Sequence, residues 1–322
     1  MYIRKSVLDI SVISFILVCF TFTSVYAQEA GTVPENGKSD SDRISQTSDV
    51  SGNSKAIVRN GILFGTVPVV FLFGVKAWDW SGDHSFYSRN EGWFGKGTDY
   101  AGADKAGHFF AHYMLQRSMY DVFNWTENGE SQKWAYSLGV SLSTGFLIEL
   151  GDGYSSKYGF SFQDLTMDYA GIILGALFQR YPVVDGFLGF STTYYPTAAY
   201  RHKFNNHNAV KTALEFVNDY SGWRTMLDIK LAGFDRVGVK LPYALRLMQF
   251  NIGYCSRGYA NYDRGQFERP KTRNMIFGIS INSAQMLDES FSSDNHGMLY
   301  GAAHRALEYY HLPVEKAHYR EF

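Results

Sequence analysis

Seven ionisable residues between positions 104 and 168 have the types and the spacing for acid–base chemistry. Asp164 and Asp168 are four residues apart, so they lie on one side of a helix. Buried carboxyl groups beside a histidine can act as general acids and bases. The candidate catalytic residues are His108, Glu149, Asp164 and Asp168, and the supporting residues are Asp104, Lys105 and Asp152.

The same residues allow two further interpretations. His108 and His112 are four residues apart, which is the spacing of two metal ligands on one helix. A carboxylate pair would complete such a site. If a metal binds, its expected ligands are His108, His112, Glu149 and Asp168, and Asp164 is an alternative to Asp168. In the structural interpretation, the residues form an ion-pair cluster that fixes three helices.

Three apolar segments are predicted to be the helices that position these residues, namely 104–115, 134–150 and 161–178. In the second segment, small residues recur at every fourth position and the series ends at Glu149. In the third, two glycines share a side with Asp164 and Asp168. Because short links favour antiparallel neighbours, the charged ends should meet at one pole of a helical bundle. The loop at 79–102 enters the first of these helices and is predicted to cover that pole.

The combined pattern resembles a known family. It reads Asp104-Lys105-x-x-His108-Phe109, then Glu149-x-x-Asp152, then Gly159-x-Ser161-x-x-Asp164-x-x-x-Asp168-x-x-Gly171. This resembles the YfiM-like family of bacterial envelope proteins over residues 103–175. A looser similarity is to the VanZ-like membrane proteins, which share the Asp-Lys-x-x-His start and a later carboxylate pair. The resemblance implies an exported protein of a predicted periplasmic lipoprotein family that has no established reaction.

The N-terminus has the features of a secretory signal over residues 1–27. Basic residues precede an apolar core, and small residues lead to an expected cleavage after Ala27. An uncleaved anchor helix is the alternative. Val18 stands before Cys19 where lipoprotein cleavage needs a small residue, so the chain departs from the family pattern here. Residues 28–54 are rich in Ser, Asp and Gly and are expected to be a disordered linker.

A strongly apolar stretch runs from Ala56 to Trp80 and carries no charge between Gly61 and Val75. Its length is close to that of a membrane span, and its tryptophans, such as Trp78, suit a membrane interface. The alternative is a buried helix that packs on the next three helices. Charged residues make up 19% and aromatic residues 17% of the chain, which favours a membrane lipid partner. The net charge of -1 argues against nucleic acid.

The pattern beyond Tyr181 changes from a helical period to alternation. Antiparallel strands are predicted at 186–195, 225–231, 248–254 and 275–282. A hairpin loop at 257–271 and a last helix at 295–310 complete this half. We expect the sheet to pack against the helices by its apolar faces, or to lie with one face on lipid. The predicted fold class is α+β, with an apolar bundle of about four helices at 55–182 followed by an antiparallel β region with a C-terminal helix at 183–322.

These features predict a cell-envelope protein attached to the outer membrane of a Gram-negative bacterium. The first functional hypothesis is a structural or lipid-interacting role with no reaction. The alternative is a membrane-proximal enzyme that acts on lipid or cell-wall precursors through its His/Asp/Glu cluster. A pocket at the charged pole would favour the enzyme, whereas a filled, dry ion-pair cluster would favour the scaffold. The residues indicate no particular cofactor.

Overall fold

Four long helices form the first half of the chain. The computed structural model describes residues 40–80, 85–206, 215–259, 268–291, 298–311 and 316–321. The helices are α1 (Asp40–Ala77), α2 (Ala103–Trp125), α3 (Glu130–Asp152) and α4 (Phe162–Arg180). The predicted helical bundle is therefore confirmed. The predicted signal peptide, with its cleavage site and Cys19, lies outside the described residues.

The small residues of the predicted stripes allow the helices to approach closely. A Cβ atom on Gly171 of α4 would overlap the carbonyl oxygen of Phe109 on α2. The end of α3 meets the start of α4, where the backbone N–H of Ser161 donates a 2.9 Å hydrogen bond to Glu149. Helices α3 and α4 are thus antiparallel, as the short connection predicts. This arrangement brings the charged helix ends to one pole.

Helix α1 is largely exposed, so of the two alternatives the buried helix is wrong, and a membrane span stays a prediction. Only 6% of the apolar stretch Gly52–Val75 is buried, and its mean hydropathy is 1.8. A small cluster around Ile62, Phe123 and Val140 joins α1 to α2 and α3. Side chains on the other sides, such as Phe64 at 77% exposure, contact no core. By length and composition this helix can cross a membrane.

Helix α1 also begins earlier than the sequence indicates. It starts at Asp40, so residues 40–54 are helical although we predicted a disordered linker through residue 54. Extending an existing helix costs little because each added residue gains one hydrogen bond, whereas starting a helix is expensive. A polar segment can therefore continue a helix that its apolar neighbour has started. Residues 28–39 lie outside the described part of the chain.

The second half contains one antiparallel sheet with strands in sequence order. The strands are β1 (Leu188–Tyr194), β2 (Trp223–Lys230), β3 (Met248–Arg257), β4 (Thr272–Ile281) and β5 (Lys316–Glu321). The first four confirm the predicted strands within a few residues, and β5 was not predicted. Arg257 pairs with Thr272, which confirms the predicted hairpin between β3 and β4. The α+β fold class is confirmed.

The sheet reverses the usual polarity of its two faces at β3 and β4. Its buried face carries polar side chains, including Gln249, Asn251 and Ser280. The opposite face is apolar and exposed, with Phe250, Ile252, Phe277, Ile279 and Ile281 all at least 38% exposed. The expectation that apolar faces tie the sheet to the helices is therefore wrong at these strands. A period of two separates the faces but does not decide which one is buried.

Strand β1 follows the expected packing, since Phe190 contacts Phe109, Tyr113 and Phe178 of the bundle. Shorter helices complete the fold. They are α5 (Pro182–Phe187), α6 (Ala198–Asn206), α7 (Tyr243–Arg246), α8 (Ser283–Ser290) and α9 (Met298–Tyr309). Helix α9 confirms the predicted last helix, and its Tyr309 packs into the core of the bundle. The C-terminal half therefore closes over α2.

Candidate functional site

The predicted site residues converge at the pole where α2 begins, α3 ends and α4 begins. We call this group the acidic cluster. It comprises Glu91, Asp104, Lys105, His108, His112, Glu149, Asp152, Asp164 and Asp168. The convergence that the antiparallel topology predicts is thus confirmed, and Glu91 is an addition. Whether any of these residues is catalytic stays a prediction.

Asp168 lies between two histidines. Its Oδ1 atom is 2.9 Å from Nδ1 of His108 and 2.7 Å from Nδ1 of His112. Asp168 and His112 are buried, whereas the side chain of His108 is 23% exposed. Burial alone would raise the pKa of Asp168, but the two histidines outweigh it and lower that pKa. Asp168 therefore fixes the orientation of the His108 imidazole through Nδ1, and the Nε2 atom of that ring points away from Asp168.

His108 is held as an imidazolium by its acidic neighbours. Burial opposes protonation, but the negative charges of Asp164 and Asp168 raise the pKa of His108 well above its ordinary value. Its Nε2 atom lies 3.9 Å from Oδ1 of Asp164. Its Nδ1 atom lies 3.9 Å from Oε1 of Glu149. The imidazole is therefore the centre of a ring of carboxyl groups.

Lys105 is a fully buried cation with three carboxylate partners. Its Nζ atom donates to Glu91 at 2.6 Å, to Asp104 at 2.8 Å and to Asp164 at 3.0 Å. Burial opposes protonation of Lys105, but these carboxylates raise its pKa overall. Glu91 comes from the loop that was predicted to cover the charged pole, and that cover is confirmed. The residue itself was missed because an irregular loop has no periodicity to indicate which side chain turns inward.

Three carboxyl groups of the cluster titrate near neutrality. Burial is the largest cause in each, and it raises the pKa of Glu149 to about 8 and those of Glu91 and Asp152 to about 7. Asp152 also accepts a 2.6 Å hydrogen bond from the indole of Trp80, which lowers its pKa in part. Groups that titrate near the working pH are suited to transfer protons in both directions. Such shifts concentrate at functional sites.

A cavity of about 370 Å³ lies beside the acidic cluster. Its lining includes the ionisable residues Glu91, His108, Glu149, Asp152 and Asp164. Aromatic residues also line it, namely Trp78, Tyr158, Phe216, Tyr220, Trp223 and Tyr310. An apolar cavity with a few convergent polar groups is the usual form of a ligand site. The chain thus has a pocket at the charged pole, which is the feature that favours the enzyme over the scaffold.

A second buried charged group links α2 to the C-terminal half, and we call it the arginine cluster. It comprises Arg117, Asp121, Asp185, Lys230, Arg305 and Glu308. The guanidinium of the fully buried Arg117 donates to Asp185 at 2.5 and 3.0 Å and reaches Glu308 at 3.5 Å. Glu308 also accepts from Arg305 at 2.7 Å and from Lys230 at 3.3 Å. Sequence reasoning missed this cluster because its partners are far apart along the chain.

Residues 90–180 match the model of a protein family described as predicted periplasmic lipoprotein (DUF2279). The match covers the end of the loop that carries Glu91 and all of α2, α3 and α4. It confirms the resemblance to envelope proteins seen in the sequence, whereas the looser VanZ-like similarity is not supported. No curated protein and no solved structure matches the chain. The match supports an exported protein of the cell envelope.

Proposed function

We propose that the protein is a membrane-attached enzyme of the cell envelope that acts on a lipid or a lipid-linked cell-wall precursor. The observation that carries this proposal is the cavity that is lined both by the acidic cluster and by aromatic side chains. A purely structural cluster needs no such space beside it. The arginine cluster serves as the contrast, since none of its residues lines this cavity.

The ionisable residues that line the cavity supply acid–base chemistry. Glu91 and Asp152 line it with a pKa of about 7, so each can hold or release a proton near neutral pH. His108 presents its imidazole to the same space, with Asp168 fixing its orientation. A proton donor and a proton acceptor in one cavity are what cleavage or transfer of a polar headgroup requires. Asp168 does not line the cavity and acts by positioning His108.

The position of the cavity favours a substrate that carries an apolar chain. Trp78 follows directly after the end of α1 and also lines the cavity. If α1 lies in a membrane, the cavity therefore lies near the level of the headgroups, where tryptophan is common. The aromatic residues of the lining offer an apolar surface to a lipid tail, and the ionisable residues bind the headgroup.

Two surfaces support attachment to a membrane. One is helix α1, whose apolar stretch is 6% buried. The other is the exposed apolar face of β3 and β4, where Phe250 lies opposite Ile279 and Ile252 opposite Phe277. Strands with a polar inner face and an apolar outer face are typical of proteins in the bacterial outer membrane. We therefore propose attachment to the outer membrane, with lipid as the partner of both surfaces.

Complementation of a deletion strain tests the enzymatic proposal. Lipids and cell-wall precursors would be compared by mass spectrometry in the deletion strain and in strains that carry the wild type or a variant. We expect one precursor to accumulate in the deletion strain and to persist with His108→Ala and with Glu149→Gln. Glu130→Gln is the matched control, because it makes the same change at the exposed opposite end of α3. Full restoration by both site variants at wild-type protein levels would refute the enzyme.

The lipid-interacting structural role is the second candidate, and the exposed apolar face of the sheet favours it. This role requires that helix α1 and the exposed face of β3 and β4 contact lipid, but it requires no acid–base chemistry. In the same experiment it predicts that both site variants restore the wild-type composition. Fractionation tests the attachment that both candidates share. Recovery of the protein in the soluble periplasmic fraction without detergent contradicts the attachment, and recovery in the inner-membrane band of a sucrose gradient contradicts the outer membrane.

A further inference from the structure

The acidic cluster carries more negative charge than its basic residues balance. Six carboxyl groups belong to it, at Glu91, Asp104, Glu149, Asp152, Asp164 and Asp168. Its basic side chains are Lys105, His108 and His112, so even with both histidines protonated three carboxyl groups must either carry a proton or meet another cation. Burial of unpaired charge is costly. A bound cation would remove this cost.

Two carboxylate oxygens of the cluster are buried and accept no hydrogen bond, namely Oδ2 of Asp168 and Oδ1 of Asp164. Only Asp164 lines the cavity, and its side chain is 7% exposed. The ammonium of Lys105 lies 2.9 Å from Oδ1 of Asp164, but its hydrogen bond goes to the other oxygen of the same carboxylate at 3.0 Å. Asp164 lines the cavity, and its Oδ1 is 3.9 Å from Nε2 of His108. An electron pair is thus available beside the imidazole.

The hydrogen bonds of the histidines select the ligand atoms. Asp168 binds Nδ1 of His108, so Nε2 is the nitrogen that coordinates once the metal has displaced its proton. A carboxylate behind the imidazole is the usual outer partner of a metal-bound histidine. His112 is directed away from this point, because its Nδ1 contacts Asp168 and its Nε2 faces Gly145. The ligand set expected from sequence therefore changes, with Asp164 in place of His112 and Asp168.

We propose that His108, Glu149 and Asp164 bind a divalent transition-metal ion, with zinc as the best fit. One donor atom of each residue lies within 4.8 Å of the other two. Zinc binds such atoms at about 2.0–2.2 Å, so two ligands of one ion can be up to about 4.4 Å apart. The 3.9 Å between Nε2 of His108 and Oδ1 of Asp164 fits this limit. The 3.9 Å contact of Glu149 is with Nδ1 of His108, so metal binding requires the Glu149 side chain to move toward Nε2. A nitrogen donor with two carboxylates suits zinc better than magnesium or calcium.

The cavity gives this site an open position. Three protein ligands with a fourth position left to water are typical of catalytic rather than structural zinc. Such an ion lowers the pKa of its bound water to about 7 and so supplies a nucleophile. Binding of the metal stands on the geometry alone, whereas its use in catalysis rests on the proposed function. Glu91 and Asp152 would stay free of the metal and available for proton transfer.

Metal analysis of the purified full-length protein in detergent tests the site. We expect about one zinc ion per chain by elemental mass spectrometry, and rebinding of ZnCl₂ by calorimetry after chelation. Glu149→Gln and Asp164→Asn should each weaken binding more than about 100-fold, since loss of an outer partner alone costs about 10–100-fold. Glu130→Gln is the matched control. It makes the same change as Glu149→Gln at the exposed opposite end of α3, outside the acidic cluster, and it should bind like the wild type.

Three results would overturn the site. They are the absence of both co-purified and titrated metal, equal affinity in the ligand variants and the wild type, and loss of affinity in Glu130→Gln alone. If a ligand variant does not fold, the absorption spectrum of the cobalt-substituted wild type decides instead, because nitrogen–oxygen coordination gives visible bands that aqueous cobalt lacks at equal intensity. Stoichiometric metal without any precursor change in the deletion strain would keep the site and refute the enzyme. A precursor change without bound metal would refute the metal site and keep the enzyme.

Discussion

The protein buries two clusters of charge, and they differ in balance and in access to space. Among the described residues, the arginine cluster has three basic and three acidic side chains, and each is paired across elements. The acidic cluster has six carboxyl groups and borders the cavity. Balanced charge fixes one element to another. Excess carboxyl groups beside a cavity can bind protons, a cation or a substrate.

Removal of Glu308 should have the largest effect on stability. Glu308→Gln leaves Arg117, Arg305 and Lys230 without the carboxylate that they share. Arg117 keeps Asp185 and Arg305 keeps Asp121, but removal of one partner from a buried ion-pair network still costs about 3–5 kcal/mol of unfolding free energy. Chemical denaturation in detergent measures it, with the exposed Glu127→Gln as control. A loss below about 1 kcal/mol would show that the arginine cluster does not hold the halves together.

The stability and activity of an Asp168 variant should depend on which residue replaces the aspartate. Asp168→Ala removes the acceptor shared by His108 and His112 and should cost about 3 kcal/mol, the low end of the range because a histidine can lose its proton. Asp168→Asn keeps an acceptor oxygen and should preserve folding while the precursor of the deletion strain still accumulates. Denaturation and complementation of both variants check this. Equal destabilisation by the two variants would make the acidic cluster as structural as the arginine cluster.

In the metal-free protein, the stability contributed by Asp152 of the acidic cluster and by Glu308 of the arginine cluster should change with pH in opposite directions. Burial raises the pKa of Asp152 from 3.8 to about 7, so the folded state holds the proton and stability falls as pH rises from about 4 to about 7. For Glu308, burial alone would raise the pKa, but Arg117 and its other basic partners lower it well below the ordinary value, so stability is lost as pH falls below about 4.5.

Unfolding free energies measured from about pH 2 to about pH 8 in chelator test this difference. Asp152→Asn should reduce the slope between pH 4 and pH 7 and leave the acid limb unchanged. This is the smallest of the expected effects, because Glu91 and Glu149 keep raised pKa values in the variant. An unchanged slope above pH 4 would mean that Asp152 is not held protonated by burial.

Elements with a clear period could be predicted from the sequence, and so could the pole where they meet. The stripe that ends at Glu149 and the alternation around Phe250 gave the helices and strands because period depends on local geometry. The inward turn of Glu91, the pairing of Arg117 and the added strand β5 depend on distant partners that no local pattern contains. The buried face of the sheet was assigned wrongly for the same reason.

The pairing of Arg117 with Glu308 has a consequence for synthesis. The two residues are 191 positions apart, so a ribosome that adds about 5–20 residues each second exposes the arginine many seconds before its partner exists. The segment 90–180 contains Arg117 but neither Asp185 nor Glu308. Until α9 arrives, this guanidinium has only Asp185 as its acidic partner, and the part of the core that Tyr309 fills stays open. Helix α9 therefore completes the core and the arginine cluster. A chain truncated before this helix should be degraded by envelope proteases.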